Sequence, residues 1–199
     1  AEMKAAVDEA QMWGVKVAAH AHGAAGIREA IRAGVGTIEH ASLIDDEGIR
    51  LAKQYGAWLS MDIYNTDYTQ SEGKKNGVLE DNLRKDRELG DIQRENFRRA
   101  HQAGVKMVFG TDAGIYPHGD NAKQFAVMVR YGMTPTQAIQ SATISAAEAL
   151  GRSDIGTIET GRFADIVGVR GNPAQDVTLL ERVAFVMKDG VVVVKEGGE

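Results

Sequence analysis

Four times in this chain a glycine is followed, six or eight residues on, by a polar residue that ends a short apolar run. Gly14 leads to His20 through Val15-Lys-Val-Ala-Ala, and Gly34 leads to His40 through Val35-Gly-Thr-Ile-Glu. Gly56 leads to Asp62 through Ala57-Trp-Leu-Ser-Met, and Gly104 leads to Asp112 through Val105-Lys-Met-Val-Phe-Gly-Thr. Each glycine closes a segment of helical periodicity, as a left-handed cap does. Each apolar run has the length and β-branched content of a buried strand. A chain that repeats helix, cap and strand builds a parallel sheet, and four strands of one direction gather their terminal polar residues on one rim. A parallel α/β barrel presents metal ligands in this way.

The rest of the chain fits around these four units. Met3, Ala6, Val7, Ala10 and Trp13 give helix over 1–13, and the strand 15–20 reads as covered on both faces. Helix follows over 24–33 with Ile27, Ala30 and Ile31 inward, then strand over 37–40. Asp45 N-caps a helix that runs to Tyr55, and strand follows over 57–63. Residues 64–76 are polar and rich in turn formers; they read as a long loop at the histidine rim, either a lid or a solvated insertion. Residues 79–102 form a charged helix with Leu83, Leu89, Ile92 and Phe97 inward and Gly90 as a weak point. Strand over 105–110 leads to Asp112, and a helix covers 122–131. Thr134-Pro135 opens one further helix, to Leu150. From Gly161 the pattern changes: Phe163–Val169 reads as strand, and 184–187 with 191–194 flank Asp189-Gly190 as a hairpin. The expected division is an α/β unit over 1–155 and a β tail over 156–199.

Composition narrows the chemistry. With 199 residues, 43% of them hydrophobic, the chain can bury a real core. The net charge of −5 and the lack of a basic stripe argue against a nucleic-acid partner. There is no apolar run of membrane-spanning length, and the expected location is cytoplasmic. With no cysteine, a metal must be held by His, Asp or Glu. His20 and His40, at matched spacing on adjacent strands, suit one shared ion. Asp112, between two glycines, suits a ligand, a general base, or both. Zinc brings the pKa of bound water to about 7 and polarises a carbonyl. His22 points the way His20 does, one step further, and reads equally as a structural histidine or as a contact to substrate or to a ligand. Asp62 suits orienting the site, Tyr64 hydrogen bonding to a substrate carboxylate, and His118 substrate contact. His101 reads as surface.

At these residues the chain resembles the amidohydrolase superfamily. His20-Ala-His22-Gly23, Thr37-Ile-Glu-His40 and Phe109-Gly-Thr-Asp112-Ala-Gly114 are similar to its fifth, sixth and eighth barrel strands. Asp62-Ile-Tyr-Asn65, Tyr116-Pro-His-Gly-Asp-Asn121 and the ending from Gly161 to Gly190 resemble its imidazolonepropionase-related Xaa-Pro dipeptidase and carboxypeptidase branch. The resemblance implies a (β/α)₈ TIM-type barrel, here strands five to eight with their helices, and a C-terminal piece of a small β-sandwich. It implies a binuclear zinc centre in which His20 and His40 bind one ion, Asp112 binds the other and shuttles the proton, and His22 is not a primary ligand. The family's first-strand His-x-His pair and fourth-strand lysine have no counterpart in this sequence, so it resembles the C-terminal half of such an enzyme.

The expected function is metal-dependent hydrolysis of amide bonds in small substrates, either dipeptides such as Xaa-Pro or N-acyl amino acids. A metal-bound hydroxide attacks the carbonyl, and Asp112 takes the proton and passes it to the leaving amine. The rivals are a cyclic-amide hydrolase or deaminase of the same superfamily, and a non-catalytic half-barrel that works only with a partner chain. Exposed sheet edges imply self-association or a missing N-terminal half.

Overall fold

The computed structural model describes residues 1–195; residues 196–199 of the expected tail lie outside them. The first unit alternates helix and strand: α1 (Glu2–Met12), β1 (Ala18–Ala21), α2 (Ala24–Ala33), β2 (Thr37–His40), α3 (Asp46–Tyr55) and β3 (Trp58–Ser60). Two helices in succession, α4 (Asn65–Glu72) and α5 (Glu80–Gln102), precede β4 (Met107–Val108). Helices α6 (Lys123–Arg130), α7 (Pro135–Ser141) and α8 (Ile144–Leu150) follow. The four strands form one parallel sheet in the order β1-β2-β3-β4. A separate antiparallel sheet holds β5 (Ile166–Val169), β6 (Val183–Lys188) and β7 (Val191–Lys195). No helix among the described residues is long and apolar enough to cross a membrane.

The glycine punctuation has the backbone it requires. Gly14, Gly34, Gly56 and Gly104 have φ of 67°, 95°, 72° and 76°, where a Cβ would be strained. Asp45 caps α3 by accepting from the Gly48 amide at 2.8 Å, and Thr134 forms a capping box with Gln137. Ala19, Ile38, Leu59 and Met107 lie in register across the sheet. They meet a helical layer that includes Ile27 and Ile31 of α2, both fully buried. Burial of one such aliphatic side chain stabilises by about 1.5–3 kcal/mol, so this layer holds the sheet in place.

Several expectations need correction. Among the described residues β1 is an edge strand with only β2 beside it, and its Ala18 and His20 are exposed, so it is not covered on both faces. Val15 is 57% exposed and outside the strand. Met3 and Trp13 of the first helical segment are exposed too, and only Val7 of α1 is buried. The 64–76 segment is the helix α4 and a turn. It packs on α5 so closely that a Cβ at Gly90 would lie 2.5 Å from Thr66 Oγ1. Gly90 is therefore a point of close approach between helices. Leu83 and Phe97 are buried as expected, but Leu89 and Ile92 face outward at 44% and 46% exposure; the other inward positions of α5 are Gly90, Gln93, Arg94, Asn96 and Ala100. The helix expected from Thr134 to Leu150 breaks at Ala142-Thr143 into α7 and α8. β3 and β4 are shorter than their apolar runs, because buried side chains take over from the sheet ladder at their carboxyl ends. In the tail, Asp189 and Gly190 have φ of 51° and 77°, the left-handed pair that a two-residue hairpin demands.

Candidate metal centre

His20 lies within β1, paired with Glu39 of β2, while His40 pairs with Ala21. Strict alternation would send these two imidazoles to opposite faces of the sheet. The backbone prevents this: His40 has φ of 69° and Ala41 of 47°, which rotates the His40 side chain away from the face that alternation assigns it. The ring centroids of His20 and His40 come to 4.4 Å. Left-handed backbone at a non-glycine residue costs about 1–2 kcal/mol, and such strain gathers at functional sites. Asp112 shares the feature, with φ of 48°.

Two overlapping groups of ligand atoms result. One ring nitrogen each of His20, His22 and His40 lie within 4.8 Å of one another. So do atoms of His40, Asp62 and Asp112. The three groups on which the site rests, His20, His40 and Asp112, therefore occupy one rim at the carboxyl ends of parallel strands. Asp62 joins them. It is buried and accepts a hydrogen bond from His40 Nδ1 at 2.9 Å. Gln93 Nε2 donates to the same carboxylate oxygen at 3.2 Å, and Asn65 Nδ2 donates to the other. The hydrogen bond to Asp62 raises the His40 pKa above its ordinary value against the opposing effect of desolvation. For His22 desolvation comes first, then the neighbouring His40 and His20, and together they hold its pKa down.

Tyr64 lies mostly buried beside this rim. Its ring meets that of Tyr116 at 4.9 Å edge-on, and Lys123 Nζ stands 6.0 Å from its centroid. Burial raises the pKa of both phenols. Tyr116 donates to the Thr111 carbonyl at 3.0 Å, bracing the turn that carries Asp112. His118 sits in the short 3-10 turn His118–Asp120, exposed and outside both ligand groups.

Sequence reasoning missed the supporting residues. Ser42 hydrogen-bonds His22, and nothing in its spacing marks it. Gln93 and Asn96 had a signal: they sit at core spacing with Phe97 and Ala100 on α5, where a polar side chain must find a partner. Gln124, fully buried on α6, had the same signal.

The donor set fits a divalent transition ion. With no cysteine, the ligands are imidazole and carboxylate. His22 and His40 each engage Nδ1 with a side-chain oxygen, which leaves Nε2 for an ion, the usual arrangement of a metal-binding histidine.

Fold and rim together define an α/β protein with a candidate His/Asp metal site at the ends of its parallel strands. The chain belongs to the amidohydrolase family, whose profile matches residues 1–193. It is 34% identical over 197 residues to the ochratoxinase of Aspergillus niger, covering 95% of this chain and 40% of that protein. Among solved structures it resembles a Xaa-Pro dipeptidase with methionine bound in its active site, at 39% identity and a TM-score of 0.90, covering 97% of this chain and 48% of that one. It likewise resembles a prolidase complexed with n-methylphosphonate-L-proline, at 31% identity and a TM-score of 0.90, covering 98% and 49%. The chain thus spans about half the length of these relatives.

Proposed function

We propose that this chain supplies strands five to eight of a (β/α)₈ barrel, with part of its sandwich domain, to a zinc-dependent hydrolase of amide bonds in small substrates. The substrate class is an N-acyl amino acid, dipeptides such as Xaa-Pro included. The observation that carries this reading is the convergence of His20, His40, Asp62 and Asp112 on one rim. The relatives named for Xaa-Pro dipeptide and ochratoxin chemistry point to the same bond class.

In this reading His20 and His40 hold the ion. A bound zinc ion would lower the pKa of water and polarise the scissile carbonyl. Asp112 takes a proton from the attacking water and returns it to the departing amine, a role suited to a carboxylate held on an exposed turn beside the imidazoles. Asp62 keeps His40 in the tautomer that presents Nε2. Tyr64 is assigned to the substrate carboxylate, with the Lys123 ammonium adding positive potential beside it, and His118 to the outer part of the substrate.

The test is metal content by elemental analysis together with a hydrolysis screen over Xaa-Pro dipeptides and N-acyl amino acids. The expected result is bound zinc and turnover, with Asp112→Asn lowering kcat by about 100-fold or more while zinc is retained. Absence of both metal and turnover, in a chain that self-associates, would replace this reading with a non-catalytic part that requires a partner chain.

A further inference from the structure

We infer that the Asn76-Gly77 step, in the turn between α4 and α5, is a site of spontaneous covalent modification: the Gly77 amide closes on the Asn76 carboxamide, the side chain is deamidated, and the products unlatch α4 from α5. The inference is independent of the rim at the strand ends and of any reaction performed there.

Sequence and backbone single out this step. Asn76 is the one asparagine of the chain that precedes glycine; Asn65, Asn82, Asn96 and Asn121 precede residues with side chains, and Asn172 precedes Pro173. A side chain on the following residue crowds the approach of its nitrogen to the carboxamide, and proline has no N–H to lose. Asn76 and Gly77 are both exposed and lie in a turn outside the helices, where backbone can rearrange. Gly77 has φ of 80°, and a Cβ built on it would meet no heavy atom within 4 Å, so its peptide unit has room to rotate. The contacts that must be released are weak. The Gly77 amide donates to the Lys74 carbonyl at 3.2 Å, and Asn76 Nδ2 donates to the Tyr68 hydroxyl at 3.2 Å, both at the long end of the hydrogen-bond range. Lys74 and Lys75, exposed just ahead of the step, add positive potential that favours the deprotonated, attacking form of the amide.

In the reaction the Gly77 nitrogen forms a bond to Asn76 Cγ, and the Cγ–Nδ2 bond breaks. The amide proton leaves with the departing nitrogen as ammonia, and a succinimide remains. Water then opens the ring at either carbonyl. One opening gives an aspartyl residue. The other gives an isoaspartyl residue, in which the main chain runs through Cβ and Cγ and is one carbon longer. No oxidant or cofactor is required. Both products lose the donor to Tyr68 and gain a negative charge close to Glu72, whose carbonyl accepts from the residue 76 amide at 2.9 Å. The longer chain also falls inside the turn that the Val78 amide closes on the Gly73 carbonyl at 2.8 Å. Gly73 is the point where this turn sits on α5: a Cβ there would lie 2.8 Å from Leu83 Cδ2. Beyond it α4 is held to α5 by polar contacts, Gln70 to the Leu83 carbonyl at 3.0 Å and to Asp86 at 2.6 Å, and Thr66 to Asp86 at 3.2 Å. A segment docked in this way opens locally at small cost.

The test is storage of the folded chain in neutral and mildly alkaline buffer, with far-UV spectra confirming that it stays folded. Peptide mapping by mass spectrometry follows each asparagine, and hydrogen exchange follows the amides of 65–79. Replacement of the Asn76 amide by a carboxyl is expected, as a mixture of aspartyl and isoaspartyl peptides that accumulates faster in the alkaline buffer, while the other asparagines keep their amides. Faster exchange over 65–79 should grow in step with it. Asn76→Gln keeps a carboxamide but must close a larger, slower-forming ring, so its stored chain is expected to show neither change. Gly77→Ala is avoided, because its backbone would be strained at this φ. Retention of the Asn76 amide while a peptide spanning 74–79 loses it under the same conditions would overturn the site. Conversion of all the asparagines alike would overturn its selectivity, and conversion of Asn76 with unchanged exchange would overturn the unlatching of α4.

Discussion

Asp62 controls His40 through one short contact and is itself controlled by two donors. His40 Nδ1–H donates to Oδ1, Gln93 reinforces the same oxygen, and Asn65 holds Oδ2. An imidazole oriented this way loses little rotational freedom when it binds an ion. Asp62→Asn keeps the shape and removes the charge, so His40 is no longer held in one tautomer. Zinc affinity is expected to fall by about 10- to 100-fold, measured by Zn²⁺ titration in competition with a chromophoric chelator, with a far-UV spectrum unchanged from wild type. Wild-type affinity in this variant would mean that His40 needs no orienting carboxylate. At this scale the sequence showed the residue types and their common end of the strands. It did not show the left-handed backbone at His40 and Asp112, because histidine and aspartate occur there only rarely and no local pattern requires it. The rotation at His40 comes from how the chain leaves β2: the Ala41 amide bonds the Ala21 carbonyl at 3.1 Å and the Leu43 amide bonds that of His22.

Between elements, the decisive residue is Gln124 at the start of α6. The ladder between β3 and β4 ends at Ser60 and Val108, before Asp62 and Asp112 are reached. Gln124 continues the connection with its side chain. Its Nε2 donates to the Met61 carbonyl at 2.7 Å and to the Gly110 carbonyl at 2.8 Å, and its Oε1 accepts from the Tyr64 amide at 2.8 Å. One fully buried amide therefore joins the two strand ends that carry the carboxylates. Gln124→Leu has similar bulk but leaves two carbonyls and an amide unpaired. A buried unsatisfied group costs about 1–3 kcal/mol, so a loss of several kcal/mol is expected, read as a lower denaturant midpoint in equilibrium unfolding. An unchanged midpoint would show that solvent or relaxed backbone replaces the clamp. The apolar runs 57–63 and 105–110 predicted the direction and neighbourhood of these strands but not where pairing stops, because the end of a ladder is set by a side chain more than ten residues away. The α4 segment was illegible for a related reason. Its polar residues, such as Asp67, become helical by docking on Arg94, which also donates to the Ile63 carbonyl at 3.1 Å.

At the scale of the whole molecule the surface is too large for the mass. A compact 21.4 kDa protein exposes about 9,100 Å² by the usual size scaling, whereas this chain exposes 11,408 Å². The excess has an address. Among the described residues β1 and β4 each have a strand on one side only, and Val191, Val192, Val193 and Val194 of β7 are all exposed. The alternation of glycine caps and strands made the parallel sheet legible, but a count of apolar residues does not distinguish an inner strand from an edge strand, nor does it show that Ala18 and His20 stay exposed. On β1 the carbonyls of Val17 and Ala21 bond β2, through Thr37 and Ala41, so the backbone groups of Ala18 and His20 point outward. An unpaired edge of this kind recruits another strand unless a charge blocks it. The chain on its own is expected to self-associate with rising concentration, measured by sedimentation velocity. Ala18→Lys, a change at an exposed position, should shift the distribution toward monomer without weakening Zn²⁺ binding. A wild-type chain that stays monomeric across the concentration range would show that this edge is blocked in solution, and the case for a pairing strand from another segment would then rest on the length of the relatives alone.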